Sequence, residues 1–275
     1  MFKGFYNLTS GMITQGRMLD VISNNMTNVS TPGYKVDRLT ISTFEQVLWN
    51  RVGNRDRRYS ELGDQSWITM PSQLYTDYAQ GTFDQTDLKL DFAIQGNGYF
   101  AVRKEVPVEP EEGAEEGEEA EEGGGAQPQT EEVTVYTRNG NFALDSDGYL
   151  SLPGQGRVLS AFGEPLQIST DSLDVDAFGR FYASNGAYLG RVGVFAFEDD
   201  AQLEKDNSGV FTSEAEPEAV DATVMQGWLE RSNVDWVREM AQMMSAQRAY
   251  QSAAEVVKIY DEVMNKAVTD VGRMA

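Results

Sequence analysis

The 275-residue chain has no cysteine and no histidine. Thiol nucleophiles, imidazole acid–base chemistry, Cys/His zinc sites and Ser-His-Asp relays are excluded together. A fold without cysteine is also indifferent to redox state, which suits a protein that passes from a reducing to an oxidising compartment. Positive charge is scarce: 22 Lys and Arg against 44 Asp and Glu leave a net charge of −22. Such a chain repels phosphate backbones and anionic lipid heads, so neither nucleic acid nor a membrane is an expected partner. No apolar run reaches the ~18 residues that suggest a membrane span. The opening Met1-Phe2-Lys3-Gly4 does not lead into the apolar stretch of a signal peptide, so the ordinary secretory route with a cleaved signal is not the expected one.

What is present begins with two amphipathic ends. Phe5, Leu8, Met12, Leu19, Ile22, Met26 and Val29 fall at alternating three- and four-residue spacing, with Gln15 in the seam. Trp236, Met240, Met243, Tyr250, Ala254, Val257, Met264, Val268 and Val271 repeat the alternation, with Gln247 and Asp261 as polar interruptions. Both are heptad patterns and predict helices that pair as a coiled coil. Only Lys3, Arg17 and Asp20 are charged among the first 34 residues. A surface helix of a monomer carries a charged outer face. Here that face holds Ser, Thr and Asn with Gly4, Gly11 and Gly16, each glycine costing roughly 1 kcal/mol of helix stability relative to Ala. Small uncharged residues permit close approach of several helices, which predicts an oligomer or polymer. The first helix should stop near Ser30, because Pro32 disfavours a helical Thr31 and Gly33 permits a left-handed turn.

The expected organisation is α+β: an N-terminal helix and turn over 1–40, an irregular or extended connector over 41–85, an antiparallel β domain over 86–222 and a C-terminal helix over 223–275. In the connector Arg51, Arg55, Arg57 and Arg58 alternate with Trp49 and Tyr59, a solvated loop or a contact to an acidic neighbour. The β domain is read from short apolar runs between turn signals such as Asn97-Gly98, Asn139-Gly140, Asp147-Gly148, Phe178-Gly179 and Asn185-Gly186. Expected strands are Phe92–Ile94, Tyr99–Arg103, Val133–Arg138, Asn141–Leu144, Tyr149–Leu152, Gly179–Ala183 and Arg191–Phe197. Residues 105–132 interrupt it with twelve Glu, five Gly and three Pro and no Lys, Arg or Asp, which is −12 of the −22. So little apolar surface does not repay ordering, and a disordered acidic insertion is expected.

Five blocks in order, SNNMTNVSTPGYK at 23–35, LDFAIQGNGYFAV at 90–102, YTRNGNF at 136–142, MQGWLERSNVDWVREM at 225–240 and AQRAYQSAAEVV at 246–257, together resemble the flagellar rod and hook protein family. The resemblance implies terminal helices paired into an inner domain with a β domain outside. It further implies helical polymerisation with itself and other axial proteins, and delivery outside the cytoplasmic membrane by the flagellar type III export apparatus. The length, once the insertion is discounted, is similar to that of rod members rather than the longer hook subunit. By matching position, Asn24, Asn25, Asn28, Pro32 and Gly33 belong to the N-terminal assembly motif. Gly227, Leu229, Glu230, Ser232, Asn233 and Val234 belong to the C-terminal one. With the seam residues Leu8, Met12, Leu19, Ile22, Met26, Val29, Met240, Met243, Gln247, Tyr250, Val257 and Met264 they form the expected assembly interface. Ser232 or Asn233 is also suited to cap the last helix, its side-chain oxygen accepting an unpaired N–H of the first turn.

No cofactor, metal or catalytic residue is expected. Asp145-Ser146-Asp147-Gly148 resembles part of a calcium loop, but aligning Gly148 puts Ala143 at the first ligand and Gly154 where a bidentate Glu is required. Gly96-Asn97-Gly98 lacks the third glycine and helix of a nucleotide loop. A glycosidase needs only two carboxylates, yet no pair stands out, and Asp84, Asp87 and Asp91 read as turn and edge residues. An adaptor whose acidic insertion recruits a cation or basic partner is the remaining alternative.

Overall fold

The computed structural model describes residues 2–43, 47–52, 59–65, 69–107, 130–168, 173–198, 203–206, 208–213 and 215–273. Within them the chain forms two compact units, one of residues 1–30, 35–78 and 234–275, the other of 31–34 and 79–233.

The first unit joins both chain ends. Helix α1 (Phe2–Thr27) packs along helix α2 (Trp236–Arg273), and α1 also rests on a ladder of β1 (Asp37–Thr43) and β4 (Thr69–Thr76), which pair antiparallel. β2 (Val47–Val52) and β3 (Tyr59–Gln65) pair in the same sense, so the expected connector consists largely of paired strands. The side chains of its basic cluster, Arg51, Arg55, Arg57 and Arg58, lie outside the described residues. α1 ends at Thr27, where Asn28 donates from its backbone N–H to Asn24 O at 3.1 Å and from its side chain to the same oxygen at 3.0 Å.

The second unit holds β5 (Phe83–Gln85), β6 (Phe92–Gln95), β7 (Tyr99–Pro107), β8 (Thr130–Thr137), β9 (Ala143–Leu144), β10 (Leu150–Leu152), β11 (Gly156–Val158) and β12 (Leu173–Val175), then β13 (Arg180–Ala183), β14 (Tyr188–Arg191), β15 (Val194–Ala196), β16 (Glu204–Lys205), β17 (Phe211–Thr212), β18 (Glu218–Ala219), β19 (Thr223–Gln226) and β20 (Trp228–Glu230). β7 is its axis. One edge pairs with β8, the other with β11 and β15 at successive stretches, and every pairing is antiparallel. Phe100 and Val102 of β7 are buried with Phe92, Phe142, Leu150, Val158, Ile168 and Phe181 in one apolar core. Turn chemistry closes the hairpins. In Asp145–Gly148, Asp176–Gly179 and Asp206–Gly209 the glycine N–H donates back to the aspartate carbonyl, and each glycine has φ between 71° and 79°. These are tight turns whose last position takes the left-handed conformation that only glycine adopts at no steric cost.

The acidic insertion is shorter than expected from composition. Glu105↔Glu132, Val106↔Glu131 and Pro107↔Thr130 continue the β7–β8 ladder, because the regular strands on either side extend their hydrogen bonding at little further entropy cost. Residues 108–129, the rest of that expected disordered segment, lie outside the described residues.

Candidate assembly surfaces

The α1–α2 seam differs from the one expected. Thr14, Ile22 and Asn25 of α1 are buried, and on α2 the buried residues are Glu239 and Ala246, with Met243, Ala253, Val257, Tyr260 and Met264 half-buried. Spacing is still three and four, but on α2 it runs through Glu239 and Ala246 instead of Met240 and Gln247. Trp236, Met240, Tyr250 and Val268, assigned to the seam by periodicity, are exposed. The reason is polar. Asn25 Oδ1 accepts from Asp37 N at 3.0 Å while its amide donates to Asp37 O at 2.8 Å and Glu239 Oε2 at 3.4 Å, and Thr76 Oγ1 donates to Asp37 Oδ1 at 2.7 Å. This buried network fixes the helix ends to the start of β1, and hydrogen-bonded polar groups inside a core specify one arrangement. Near the other end, a Cβ on Gly4 would lie 3.1 Å from the Tyr260 hydroxyl, so glycine allows that close approach.

The small polar residues of α1 are largely satisfied within the chain. Ser10 donates to Asn7 O at 3.0 Å, Thr14 to Ser10 O at 2.9 Å and Thr69 O at 3.3 Å, and Thr27 to Ser23 O at 2.9 Å. Large apolar side chains are left open beside the exposed polar ones. Tyr6 and Ile13 on α1, and Val237, Met240, Met244, Ile259, Val263 and Val268 on α2, face solvent, Ile13 at 57% and Val237 at 74% exposure. Between α1, α2 and β1 a cavity of about 440 Å³ is walled by Met18, Ile22, Leu39, Ser245, Ala246 and Ala249, with Gln15, Arg38, Asp37 and Glu239 among its polar groups.

In the second unit the family-block residues converge on Glu230. Its Oε1 accepts from Gly81 N at 3.0 Å, its Oε2 lies 3.4 Å from Arg138 Nη1, and its backbone carbonyl accepts from Gly33 N at 2.8 Å. Arg231 N donates to Thr82 O at 2.8 Å. Gly33 has φ 71°, and a Cβ there would fall 2.4 Å from the Arg138 carbonyl carbon, so a side chain is excluded twice over. The Arg138 guanidinium also sits 4.9 Å from the centre of the Tyr99 ring, and Lys205 Nζ lies 3.6 Å from the centre of the Tyr34 ring. Gly227 turns at φ 75° between β19 and β20 and accepts Thr86 N and Asp87 N on its carbonyl, while Leu229 is buried. Gln226, missed in the sequence, bridges Lys89 O, Leu173 O and Val175 N.

Asn25, Gly33, Leu229 and Glu230, expected at the assembly interface, are thus held inside the chain. Val234 is buried too. Leu8, Met12, Leu19, Met26, Asn28, Val29, Pro32, Ser232 and Met264 are half-buried, and Asn24 is exposed. The expected cap is corrected: Asp235, not Ser232 or Asn233, precedes α2, its Oδ1 accepting from Val237 N at 3.0 Å and Arg238 N at 3.3 Å. Asn233 sits too early for those N–H groups and donates its amide to Ala79 O at 3.1 Å.

Of the carboxylates weighed as a calcium loop or a catalytic pair, Asp145 and Asp147 of the former form a turn that holds Arg157, with Nη2 at 3.3 and 2.8 Å from their oxygens. The Ser146 N–H and Arg157 hold Asp145 below the usual carboxylate range. Asp84 pairs opposite Leu229 at the β5–β20 ladder and Asp87 takes φ 56° in a turn. Asp91 is not an edge residue: it is buried beside the Asn141 bridge. Among the described residues, no three His, Cys, Asp or Glu side chains are grouped to hold a metal ion.

Residues 5–35 match the family described as flagella basal body rod protein, and residues 225–270 match the flagellar basal body rod FlgEFG protein C-terminal family. The chain is 27% identical to the flagellar hook-basal body complex protein FlhO of Bacillus subtilis (strain 168), with all of both chains covered. It is 28% identical to the flagellar basal-body rod protein FlgG of the same organism, over 98% of each chain. It is also 28% identical to the flagellar basal-body rod protein FlgF of Caulobacter vibrioides, over the whole of both. The two matched segments coincide with α1 and its turn and with β19 to α2, the parts that build the helix pair and the Glu230 cluster, and over its whole length the chain is similar to flagellar basal-body rod proteins.

Proposed function

We propose that this protein is a structural subunit of the flagellar basal-body rod that polymerises helically with itself and with other axial proteins through the outer faces of its two terminal helices. The observation that carries the reading is the row of large apolar side chains left in water on those helices, Tyr6 and Ile13 on α1 and Val237, Ile259, Val263 and Val268 on α2. A monomer rarely leaves so much apolar helix surface uncovered, and burial on assembly returns about 25 cal/mol per Å². The helix pair itself is already secured by the Asn25 network, so the faces away from it are free to meet neighbours. On this reading the protein reaches the basal body outside the cytoplasmic membrane through the flagellar type III export apparatus, and its action is mechanical.

The test is electron microscopy of the purified protein under polymerising conditions, for the native chain and for Ile13→Glu and Val237→Glu. The native protein is expected to form straight tubes. Both variants are expected to keep the native circular dichroism spectrum and to stay as discrete particles, since a carboxylate trapped in an apolar contact costs several kcal/mol. Tubes from both variants indistinguishable from native would exclude these faces as the assembly surface.

A further inference from the structure

We infer that Asn97 is a site of spontaneous, structure-selected deamidation, the one of the three described Asn-Gly steps that the fold leaves chemically open. The reaction belongs to the dipeptide. The Gly98 amide nitrogen, on losing its proton, attacks Asn97 Cγ; an N–Cγ bond forms, the Cγ–Nδ2 bond breaks, and ammonia leaves, giving a five-membered succinimide. Water then adds to either ring carbonyl and opens it to aspartate or isoaspartate. The net change is one water consumed and one ammonia released, with no redox partner.

What differs among the three steps is restraint. Asn185 Oδ1 accepts from Ala187 N at 2.9 Å, and the nucleophile itself is occupied, because Gly186 N donates to Ala183 O at 2.8 Å. Asn139 Oδ1 accepts from Asn141 N at 3.0 Å, its own N–H donates to Thr137 Oγ1 at 3.0 Å, and a Cβ built on Gly140 would fall 1.8 Å from the Phe92 carbonyl oxygen, so that backbone is closely held. Asn97 is exposed at the bend between β6 and β7, and neither its side chain nor the Gly98 N–H has a hydrogen-bond partner among the described residues. Gly96 and Gly98 flank it at φ 102° and 139°, so no Cβ on either side limits the rotation that brings nitrogen to Cγ. Gly98 itself packs on Val194, where a Cβ would fall 2.5 Å from Cγ1. Its lack of a side chain is thus required by the core, and the reactive pair cannot be removed by a bulkier residue at 98 without displacing β15. Reaction replaces a neutral amide with a carboxylate in this turn, and the isoaspartate product also inserts a methylene into the backbone where β7 begins.

The three steps fall on separate tryptic peptides, 90–103, 139–157 and 181–191, so the full-length native protein tests the inference without a variant. After prolonged incubation at mildly alkaline pH, the mass gain of an amide becoming a carboxyl and the isoaspartate signal are expected at 90–103. The rate there should exceed that at the other two peptides by about tenfold, the factor that ~1.4 kcal/mol of restraint gives, and should rise with pH. In denaturant the three rates should converge, because the dipeptides are then alike. Asn97→Gln should abolish the signal in peptide 90–103 while leaving the other two unchanged. Equal rates in the folded protein, or faster reaction at Asn139 or Asn185, would overturn the inference, as would a rate at Asn97 that denaturation leaves far above the others.

Discussion

Arg138 and Glu230 meet as a buried ion pair, with 5% and 1% of their side chains exposed and Nη1 3.4 Å from Oε2. They come from 92 residues apart, and the same Glu230 also ties down Gly81 and, through its backbone, Gly33. Removing one member leaves the other charge unpaired in the interior. Glu230→Ala should therefore destabilise the protein by about 3–5 kcal/mol in urea unfolding. Combining Arg138→Met with Glu230→Gln, which keeps an acceptor for Gly81, should cost clearly less. An additive double variant would show that the two charges do not interact.

Asn25 holds both backbone groups of Asp37. Asn25→Ala strands a buried donor and a buried acceptor, each worth about 1–3 kcal/mol. The expected readout is hydrogen exchange: the Asp37 amide should lose protection, while amides of the β7–β8 ladder keep theirs. Unchanged protection at Asp37 would remove Asn25 from this role.

The helical glycines of α1 and the turn glycine that follows should respond in opposite directions. Nothing lies within 4 Å of a Cβ built on Gly11 or Gly16, so Gly11→Ala should raise monomer stability by about 0.5–1 kcal/mol. If the open side of α1 meets a neighbouring subunit, the same change should impair tube formation, separating the two properties. Gly33→Ala carries the left-handed penalty of roughly 1–2 kcal/mol in addition to overlap with the Arg138 carbonyl carbon. A stable Gly33→Ala protein would contradict that packing.

The Asp145 carboxyl should titrate below its ordinary value, first because the Ser146 N–H donates to it and next because Arg157 does. A depressed folded-state value means that its contribution to stability is present above the unfolded pKa and is lost as pH falls through the folded one. Exposure to solvent keeps that contribution small. Arg157→Gln should move the Asp145 titration in carbon-detected NMR back toward the ordinary value, but not fully, since the Ser146 bond remains.

Pro107 and Thr130 are the last described partners of the β7–β8 ladder. Replacing 108–129 with Asn-Gly should therefore give a two-residue hairpin. Loop-closure cost varies only logarithmically with length, so unfolding should stay cooperative, with tubes still formed. Loss of folding or of tubes would make the insertion a working part of the protein.

Much of this was legible in the chain. The three–four spacing marked both helices, the short apolar runs between Asn-Gly and Asp-Gly turn signals marked an antiparallel β unit, and the five blocks carried the family resemblance. The seam is only partly legible: Met243, Val257 and Met264 lie in it as the spacing predicts, but a stripe one residue over has the same period, and the buried Asn25–Glu239 contact selects Glu239 and Ala246 over Met240 and Gln247. The cap was placed two residues early because Ser232, Asn233 and Asp235 all have a suitable oxygen, and only the backbone path decides which one precedes the first helical N–H.

Local patterns therefore determined the element types, since helix and strand periods, glycine turns and charge density act over a few residues. The tertiary structure decided which of the family-block residues are spent inside the chain: Asn25 on Asp37 and Glu239, Glu230 on Arg138 and Gly81, Gly33 against Arg138. Those partners lie tens to hundreds of residues away. Burial of a charge or an amide is favourable only where a distant group arrives to satisfy it, and no local pattern records that arrival.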